Sequence, residues 1–322
     1  MNVLDIQGLS LTLPGTARPV LDGVHLTVAA GETVALVGES GSGKTLTSRT
    51  ALRLLPKGAE VAGKVLVDGE DVLAMTPAQL RELRSRKAAM IFQDPRAATN
   101  PLRRVGDFLT ESVTLTKAMG RADAVERATE LLDAVGLPAT VLDKYPGQLS
   151  GGMLQRVMIA AALMGDPVLL LADEATTALD VTSQAEVVGL LDRLRTRFAT
   201  GLLFVTHDLG LAAAISDRVA VMYAGRVVET GPAETLFAHP RHPYTAALLA
   251  ATPALSGPAG RLTAIDGQPP DLREELTGCP FAARCPLATE QCRTQAPAAE
   301  AVGAGHLAAC HHSDRLEGST AR

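Results

Sequence analysis

The sequence predicts an α/β fold in which a parallel sheet is flanked by helices and followed by a small appended region. Three observations predict it. A glycine-rich run, Gly38 to Thr45, stands between a compact apolar strand and a helical stretch. The apolar runs Val168–Ala172, Leu202–Val205 and Val219–Tyr223 are separated by helical segments, the alternation of strands joined by helical crossovers. All four cysteines, Cys279, Cys285, Cys292 and Cys310, lie in the last fifth of the chain. There residues 253–301 are rich in Pro, Ala and Gly with weak periodicity, so something other than a large core holds that part together.

Taken in order, residues 1–36 read as short strands. Leu9, Leu11 and Leu13 alternate up to a break at Pro14-Gly15, and Val24, Leu26 and Val28 alternate up to Gly31. Val34–Val37 is a buried strand ending in glycines, and Asp68-Gly69 within KVLVDGEDV marks a hairpin turn. From Pro77 to about Leu163 the pattern is mostly helical, with Leu80 and Leu83, then Ala128, Leu131, Leu132 and Val135 at helical spacing before Gly136. The texture changes again after about Gly231. A length of 322 residues corresponds to about two domains of ~150 residues, and 47% hydrophobic against 20% charged residues suffices for a sizeable core. The expected division is 1–235 and 236–322, with the helical part at about 77–163.

Composition also excludes function classes. A net charge of −5 with 3% aromatic residues and no Trp offers neither phosphate attraction nor stacking platforms, so no nucleic-acid partner is expected. Runs such as Val157–Met164 fall far short of the roughly 20 apolar residues of a membrane span. The start, MNVLDIQGLS, lacks the features of a secretory signal, and the chain reads as cytosolic.

Gly38-Glu39-Ser40-Gly41-Ser42-Gly43-Lys44-Thr45 is a complete G-x-x-x-x-G-K-[ST] in the strand-to-helix setting that the motif requires. Its glycines let backbone amides turn around phosphate oxygens, Lys44 reaches the β and γ phosphates, and the Thr45 hydroxyl can ligate Mg²⁺. Alone it establishes nucleotide binding only. The run Val168-Leu-Leu-Leu-Ala-Asp173-Glu174 delivers two carboxylates at the C-terminal end of a strand, where ligands of open α/β sheets collect. In isolation this would read as a solvated acidic turn. Beside a phosphate loop, Asp173 suits Mg²⁺ and Glu174 suits activation of the attacking water.

Leu149-Ser150-Gly151-Gly152-Met153-Leu-Gln155-Arg156 is a helix start with a capping hydroxyl and open amides, and it resembles the signature sequence of ABC transporter ATPases. Gln93 in MIFQDP, Ala178-Leu179-Asp180 and His207 in FVTHDL follow in that family's order, so the resemblance spans about residues 1–235. It implies a RecA-like P-loop ABC ATPase domain with antiparallel β and helical subdomains, binding ATP and Mg²⁺. It further implies that Ser150, Gly151 and Gly152 close on the γ-phosphate held by a second ATPase subunit. Gln93 would sense Mg²⁺ or water, Asp180 would contribute to the subunit interface, and His207 would bind the γ-phosphate. Three positions depart from the family pattern: Leu13 where an aromatic usually stacks on adenine, Met153 for Gln, and Ala175 for Pro.

The tail narrows the resemblance. His239-Pro-Arg-His-Pro-Tyr-Thr-Ala-Ala-Leu-Leu, with GESGSGKT, MIFQDP and LSGGMLQRVMIA, is similar to the oligopeptide and dipeptide importer ATPases, as is the cysteine-containing stretch from Gly278-Cys279. The spacing C-x5-C-x6-C-x17-C is unlike the short pairs of structural zinc sites, whereas a [4Fe–4S] cluster accepts thiolates from irregular loops. The resemblance favours a [4Fe–4S] cluster in a cysteine-ligated C-terminal domain, with Zn²⁺ or free thiols as alternatives and His306, His311 and His312 as less favoured ligands, and the weak periodicity of the segment points to a structural rather than a redox role. The implied activity is ATP hydrolysis driving di- and oligopeptide uptake at the cytoplasmic face of the membrane. The implied partners are a second ATPase subunit, either a paralogue or a second copy of this chain, two transmembrane permease subunits and an extracytoplasmic solute-binding protein. The alternatives are an importer for nickel, glutathione or another solute and, from another class, an ABC ATPase acting on DNA or ribosomes, whose coiled-coil insertions and basic segments are missing here.

Overall fold

The computed structural model describes residues 1–176, 181–252 and 265–316. Elements are numbered in chain order.

Strands β1 (Asn2–Thr12), β2 (Leu21–Ala29), β4 (Glu60–Val67) and β5 (Glu70–Asp71) form an antiparallel sheet in the order β2-β1-β4-β5. Leu4, Ile6, Leu9 and Leu11 of β1 are buried against Leu26 and Val28 of β2 and Val65 and Val67 of β4, so alternation in sequence becomes a one-sided core. Asp68 and Gly69 adopt φ of 49° and 79° between β4 and β5, the paired positive values that a tight hairpin turn of the Asp-Gly type demands.

The second sheet has the order β11-β12-β10-β9-β3-β8-β7-β6. Its parallel centre comprises β3 (Thr33–Val37), β6 (Ala88–Ile91), β7 (Leu169–Asp173), β8 (Gly201–Val205) and β9 (Arg218–Tyr223). Every residue of β3, β7 and β8 is buried, which explains runs that are apolar without alternation. β10 (Arg226–Pro232) returns antiparallel to β9. The helices around this sheet include α1 (Lys44–Thr50), which leaves β3 through the glycine-rich loop, and α2 (Pro77–Arg86). The latter starts at a reciprocal Thr76–Gln79 capping box with Pro77 in its first turn.

The mostly helical stretch holds α3 (Val105–Leu115), α4 (Arg121–Ala134) and α5 (Gly151–Leu163), which share one core through Leu109, Val113, Leu131, Leu132, Leu154 and Val157. It also contains β6, whose four residues are too few to announce a strand within a helical pattern, and which joins the sheet beside β7. Helices α6 (Val181–Phe198) and α7 (Leu209–Ile215) follow β7 and β8.

Beyond β10 come α8 (Ala233–Ala238), α9 (Pro243–Ala250), α10 (Glu290–Thr294) and a hairpin of β11 (Glu300–Gly303) and β12 (His306–Ala308) that pairs with β10. Tyr244 and Phe281 pack against Tyr223 of β9 with ring centroids 4.5 and 5.3 Å away. Glu229 of β10, 1% exposed, accepts hydrogen bonds from the Arg241 and His242 amides and lies 2.7 Å from Nε2 of His306. A buried carboxylate must be satisfied on several sides, and these partners draw two distant segments onto β10. His306 is thus engaged by Glu229 rather than by the cysteines.

Candidate active site

The C-terminal ends of β3, β7 and β8 converge, and the residues that follow them build one site. Gly38 leaves β3 with φ of 149°, and a Cβ there would lie 2.2 Å from the Met222 carbonyl oxygen, so only glycine lets the loop pass β9. Glu39, Ser40, Gly41, Ser42, Gly43, Lys44 and Thr45 line a cavity of about 430 Å³ together with Gln93 and Glu174. Lys44 is 4% exposed, and its Nζ donates to the carbonyl oxygens of Gly38 at 2.8 Å and Glu39 at 2.9 Å. Burial lowers its proton affinity, while Glu174, Asp173 and Glu39 oppose that effect. The loop therefore holds its own ammonium where an anion would be received.

Thr45 Oγ1 donates to Asp173 Oδ1 at 2.8 Å, joining the start of α1 to the end of β7. Burial pushes the Asp173 carboxyl up, against the Thr45 hydrogen bond and the Arg49 guanidinium 3.6 Å away. One hydroxyl and one carboxylate so placed are hard oxygen ligands suited to Mg²⁺ beside a phosphate. The next residue, Glu174, has φ of 48°, a strained value for a side chain with a Cβ, and its amide donates to the Val205 carbonyl at 3.0 Å. Gln93 Nε2 donates to Glu174 Oε2 at 2.9 Å, and His207 Nδ1 lies 3.6 Å from Glu174 Oε1. Gln93 and His207, from loops after β6 and β8, thus meet on one carboxylate 81 and 33 positions from them in sequence.

Ser150 caps α5 by accepting from the Met153 amide at 3.2 Å. Ser150 and Gly151 are exposed, Gly152 is half-buried, and none of the three lines the phosphate-loop cavity of its own chain. Asp180 lies outside the described residues. Leu13, expected beside the base, packs instead on the N-terminal core and is not in the cavity wall. That wall contains Arg18 and Val20, and Pro269, Pro270 and Leu272 from the appended region. No motif marks these residues. A Pro-Pro pair in a proline-rich stretch was their only trace in sequence.

The appended region also touches the phosphate loop directly. The Glu39 amide donates to the Tyr244 hydroxyl at 2.8 Å, and Arg284 donates to both Glu39 carboxylate oxygens. Next to Arg284, the four cysteines line one small cavity with His311 and His312. Burial raises the thiols of Cys279 and Cys285, and pushes Cys310 up to about 11. Among the described residues, no three His, Cys, Asp or Glu side chains are arranged to hold a metal ion, so the expected cysteine ligation is not displayed. The four thiols, soft donors by chemistry, line one cavity without being gathered into a ligand set. His311 and His312 have other partners, the Gln295 carbonyl and the Thr289 hydroxyl, each at 3.0 Å from Nε2. Among the described residues, no helix is long and apolar enough to cross a membrane.

Comparison with known proteins places these features. The ABC transporter family profile matches residues 21–177, and that of the oligopeptide/dipeptide transporter C-terminal region matches 228–292. The probable peptide ABC transporter ATP-binding protein y4tR of Sinorhizobium fredii is 44% identical over 98% of this chain and 96% of its own length. The oligopeptide transport ATP-binding protein OppD of Salmonella typhimurium is 44% identical over 96% of this chain and 92% of its own. Among solved structures, a dimeric ATP-binding cassette in a post-hydrolysis state with ADP and Pi superimposes with a TM-score of 0.63 at 27% identity. It covers 71% of this chain and 98% of the other.

Proposed function

The chain belongs to the ABC transporter ATPases, in the branch of oligopeptide and dipeptide transporters, and from that membership we propose how its site hydrolyses ATP and what that hydrolysis drives. The observation that carries the reading is the meeting of Gln93 and His207 on Glu174, beside Lys44 and the Thr45–Asp173 pair.

The loop amides of Gly38 to Thr45 and Lys44 hold the β and γ phosphates of ATP, and Lys44 exchanges its contacts to Gly38 and Glu39 for phosphate oxygens. Thr45, Asp173 and Gln93 would hold the Mg²⁺ that accompanies ATP, which would supply charge neutralisation at the phosphates. Glu174 accepts a proton from the attacking water as its oxygen bonds to the γ-phosphorus and the bond to ADP breaks. Gln93 and His207 orient the Glu174 carboxylate and the water, and His207 also meets the γ-phosphate. Ser150, Gly151 and Gly152 complete the site of a second ATPase subunit, with Asp180 at the interface, a reading supported by a capped helix start that does not line the phosphate-loop cavity of its own chain. The dimeric state of the solved cassette supports this pairing.

The work is import of di- and oligopeptides. ATP closure and hydrolysis rearrange two transmembrane permease subunits fed by an extracytoplasmic solute-binding protein, with this chain peripheral on the cytoplasmic face. The peptide-transport names of its relatives support this cargo. Cys279, Cys285, Cys292 and Cys310 would be the ligands of a structural [4Fe–4S] cluster, which would supply folding free energy to a region with little core of its own. Glu174→Gln tests the site: ATP should bind while turnover falls by at least about 100-fold. Near-normal turnover would remove Glu174 as general base. Stimulation by a peptide-loaded binding protein in reconstituted vesicles tests the cargo, and stimulation by duplex DNA alone would overturn it.

A further inference from the structure

The phosphate loop accounts for one part of the 430 Å³ cavity, and its polar amides and Lys44 suit a triphosphate. A nucleobase needs a different surface, apolar and flat, and the residue expected to supply it, Leu13, is half-buried against the N-terminal core and does not line the cavity. The apolar lining away from the phosphate loop comes from Val20, Ala224 and the ring of Tyr223, which is 1% exposed and packed on Tyr244 and Phe281, and, across the chain, from Pro269, Pro270 and Leu272. Proline rings are rigid carbon surfaces whose nitrogens donate no hydrogen bond, so they can face a base without leaving a donor unsatisfied.

What holds that segment is Arg18. Its Nη2 donates to the Pro270 carbonyl at 2.8 Å, its Nε to the Asp271 carbonyl at 3.1 Å and its Nη1 to the Ala224 carbonyl at 3.4 Å. The neighbouring Ala17 amide donates to the Leu272 carbonyl at 3.1 Å. Arg18 is 9% exposed and lines the same cavity. Guanidinium hydrogen bonds run in the plane of the group, so an arginine bonded along its edge still offers a flat face for stacking. The Asp271 carboxylate, which would repel a nucleotide, is bound by Arg273 at 2.7 Å.

We infer that Pro269–Leu272, clamped by Arg18, forms the nucleobase wall of this ATP site, so that the appended region takes part in reading the base. This rests on the cavity being the ATP site. It makes base binding and docking of the segment mutually reinforcing, since whatever favours one favours the other.

The test compares two ligands on the full-length chain, MgATP and Mg²⁺-tripolyphosphate, the latter lacking base and ribose. In a Pro270→Gly, Leu272→Ala double variant, ATP affinity should fall roughly tenfold, the loss expected when a stacking surface is removed, while tripolyphosphate affinity stays unchanged. Arg18→Ala should do the same by releasing the segment. An undiminished ATP-to-tripolyphosphate ratio in both variants would overturn the wall. Should a variant misfold and bind neither ligand, photolabelling of the unaltered chain with 2-azido-ATP decides. Adducts on Arg18 or residues 269–272 support the wall, and adducts confined elsewhere sink it. Failure of the unaltered chain to bind ATP would instead refute the ATP site itself.

Discussion

The guanidinium of Arg284 meets the carboxylate of Glu39 through two hydrogen bonds, 2.7 Å from Nη1 to Oε2 and 3.0 Å from Nη2 to Oε1. One partner adjoins Cys285 and the other is the second residue of the phosphate loop. The Arg284 side chain is 4% exposed and also donates to the Tyr223 hydroxyl and to the carbonyls of Ile265 and Asp266. A single side chain thus fastens the cysteine region, the segment before it and the nucleotide loop to one another.

Arg284→Ala should therefore lower stability by about 2 kcal/mol, the scale of a well-buried charge-assisted pair, and weaken ATP binding in parallel. Arg284→Lys should recover less than half of the loss, because an ammonium cannot reproduce the planar fork. Urea unfolding and calorimetric titration with MgATP check both. Lower stability with unchanged ATP affinity would show that the ion pair has no hold on the loop.

Gly38→Ala should be as damaging as removing a catalytic group. Its Cβ would meet the Met222 carbonyl oxygen at 2.2 Å, an atom of β9 backbone that cannot step aside. Because φ there is 149°, strain adds to the clash, and a loss of several kcal/mol, about 3 or more, is expected in thermal unfolding. An unaltered melting temperature would mean that β9 gives way.

His242 makes the docked region sensitive to acid. It is buried with Nδ1 accepting the Tyr244 amide at 3.0 Å, and burial pulls its pKa down to about 4 despite Glu229 nearby. In the unfolded chain the imidazole takes its proton near pH 6.5, so stability is full above that value and is lost as pH falls towards 4. The loss amounts to about 3 kcal/mol by the lower limit. In His242→Asn, which keeps an acceptor but does not titrate, that part of the pH slope should vanish. A slope equal to that of the original chain would assign it to other groups.

The cysteines give a chemical readout. With Cys310 pushed up to about 11 by burial, a free thiol there would be alkylated slowly at pH 7–8 and faster as pH rises. Anaerobically purified protein should contain about four iron and four sulfide per chain, and Cys285→Ser should lose absorbance near 400 nm. Iron and sulfide far below that stoichiometry, with four thiols open to alkylation, would exclude the cluster.

Where chemistry demands a fixed local spacing, the sequence was legible. The phosphate loop, the Asp173-Glu174 pair at a strand end, the Ser150 cap and the Asp68-Gly69 turn all form where their residues stand together in the chain. Gln93 and His207 were placed by resemblance, since a lone Gln or His says nothing, and the structure brings both to Glu174. What stayed hidden are contacts between distant segments: Arg18 with Pro270, Arg284 with Glu39 and Glu229 with His306. Each depends on one side chain finding a partner 77 to 252 positions away, and neither end carries a pattern. Leu13 shows the same limit, because an apolar residue just past β1 does not tell packing on a core from a place in a ligand wall.

The hairpin of β11 and β12 lies along the outer side of β10, with Glu229 opposite Ala308 and Thr230 opposite Leu307. An uncovered strand at that border would present a row of bare amides and carbonyls, a template on which a second molecule could continue the sheet. Here the border instead ends in β11, four residues long with mostly exposed side chains. A chain cut short before Glu300 would lose that cover and leave Glu229 without His306, and such fragments would stick to one another along β10. The β11–β12 hairpin thus moves the open border of the sheet from the long β10 to a four-residue strand.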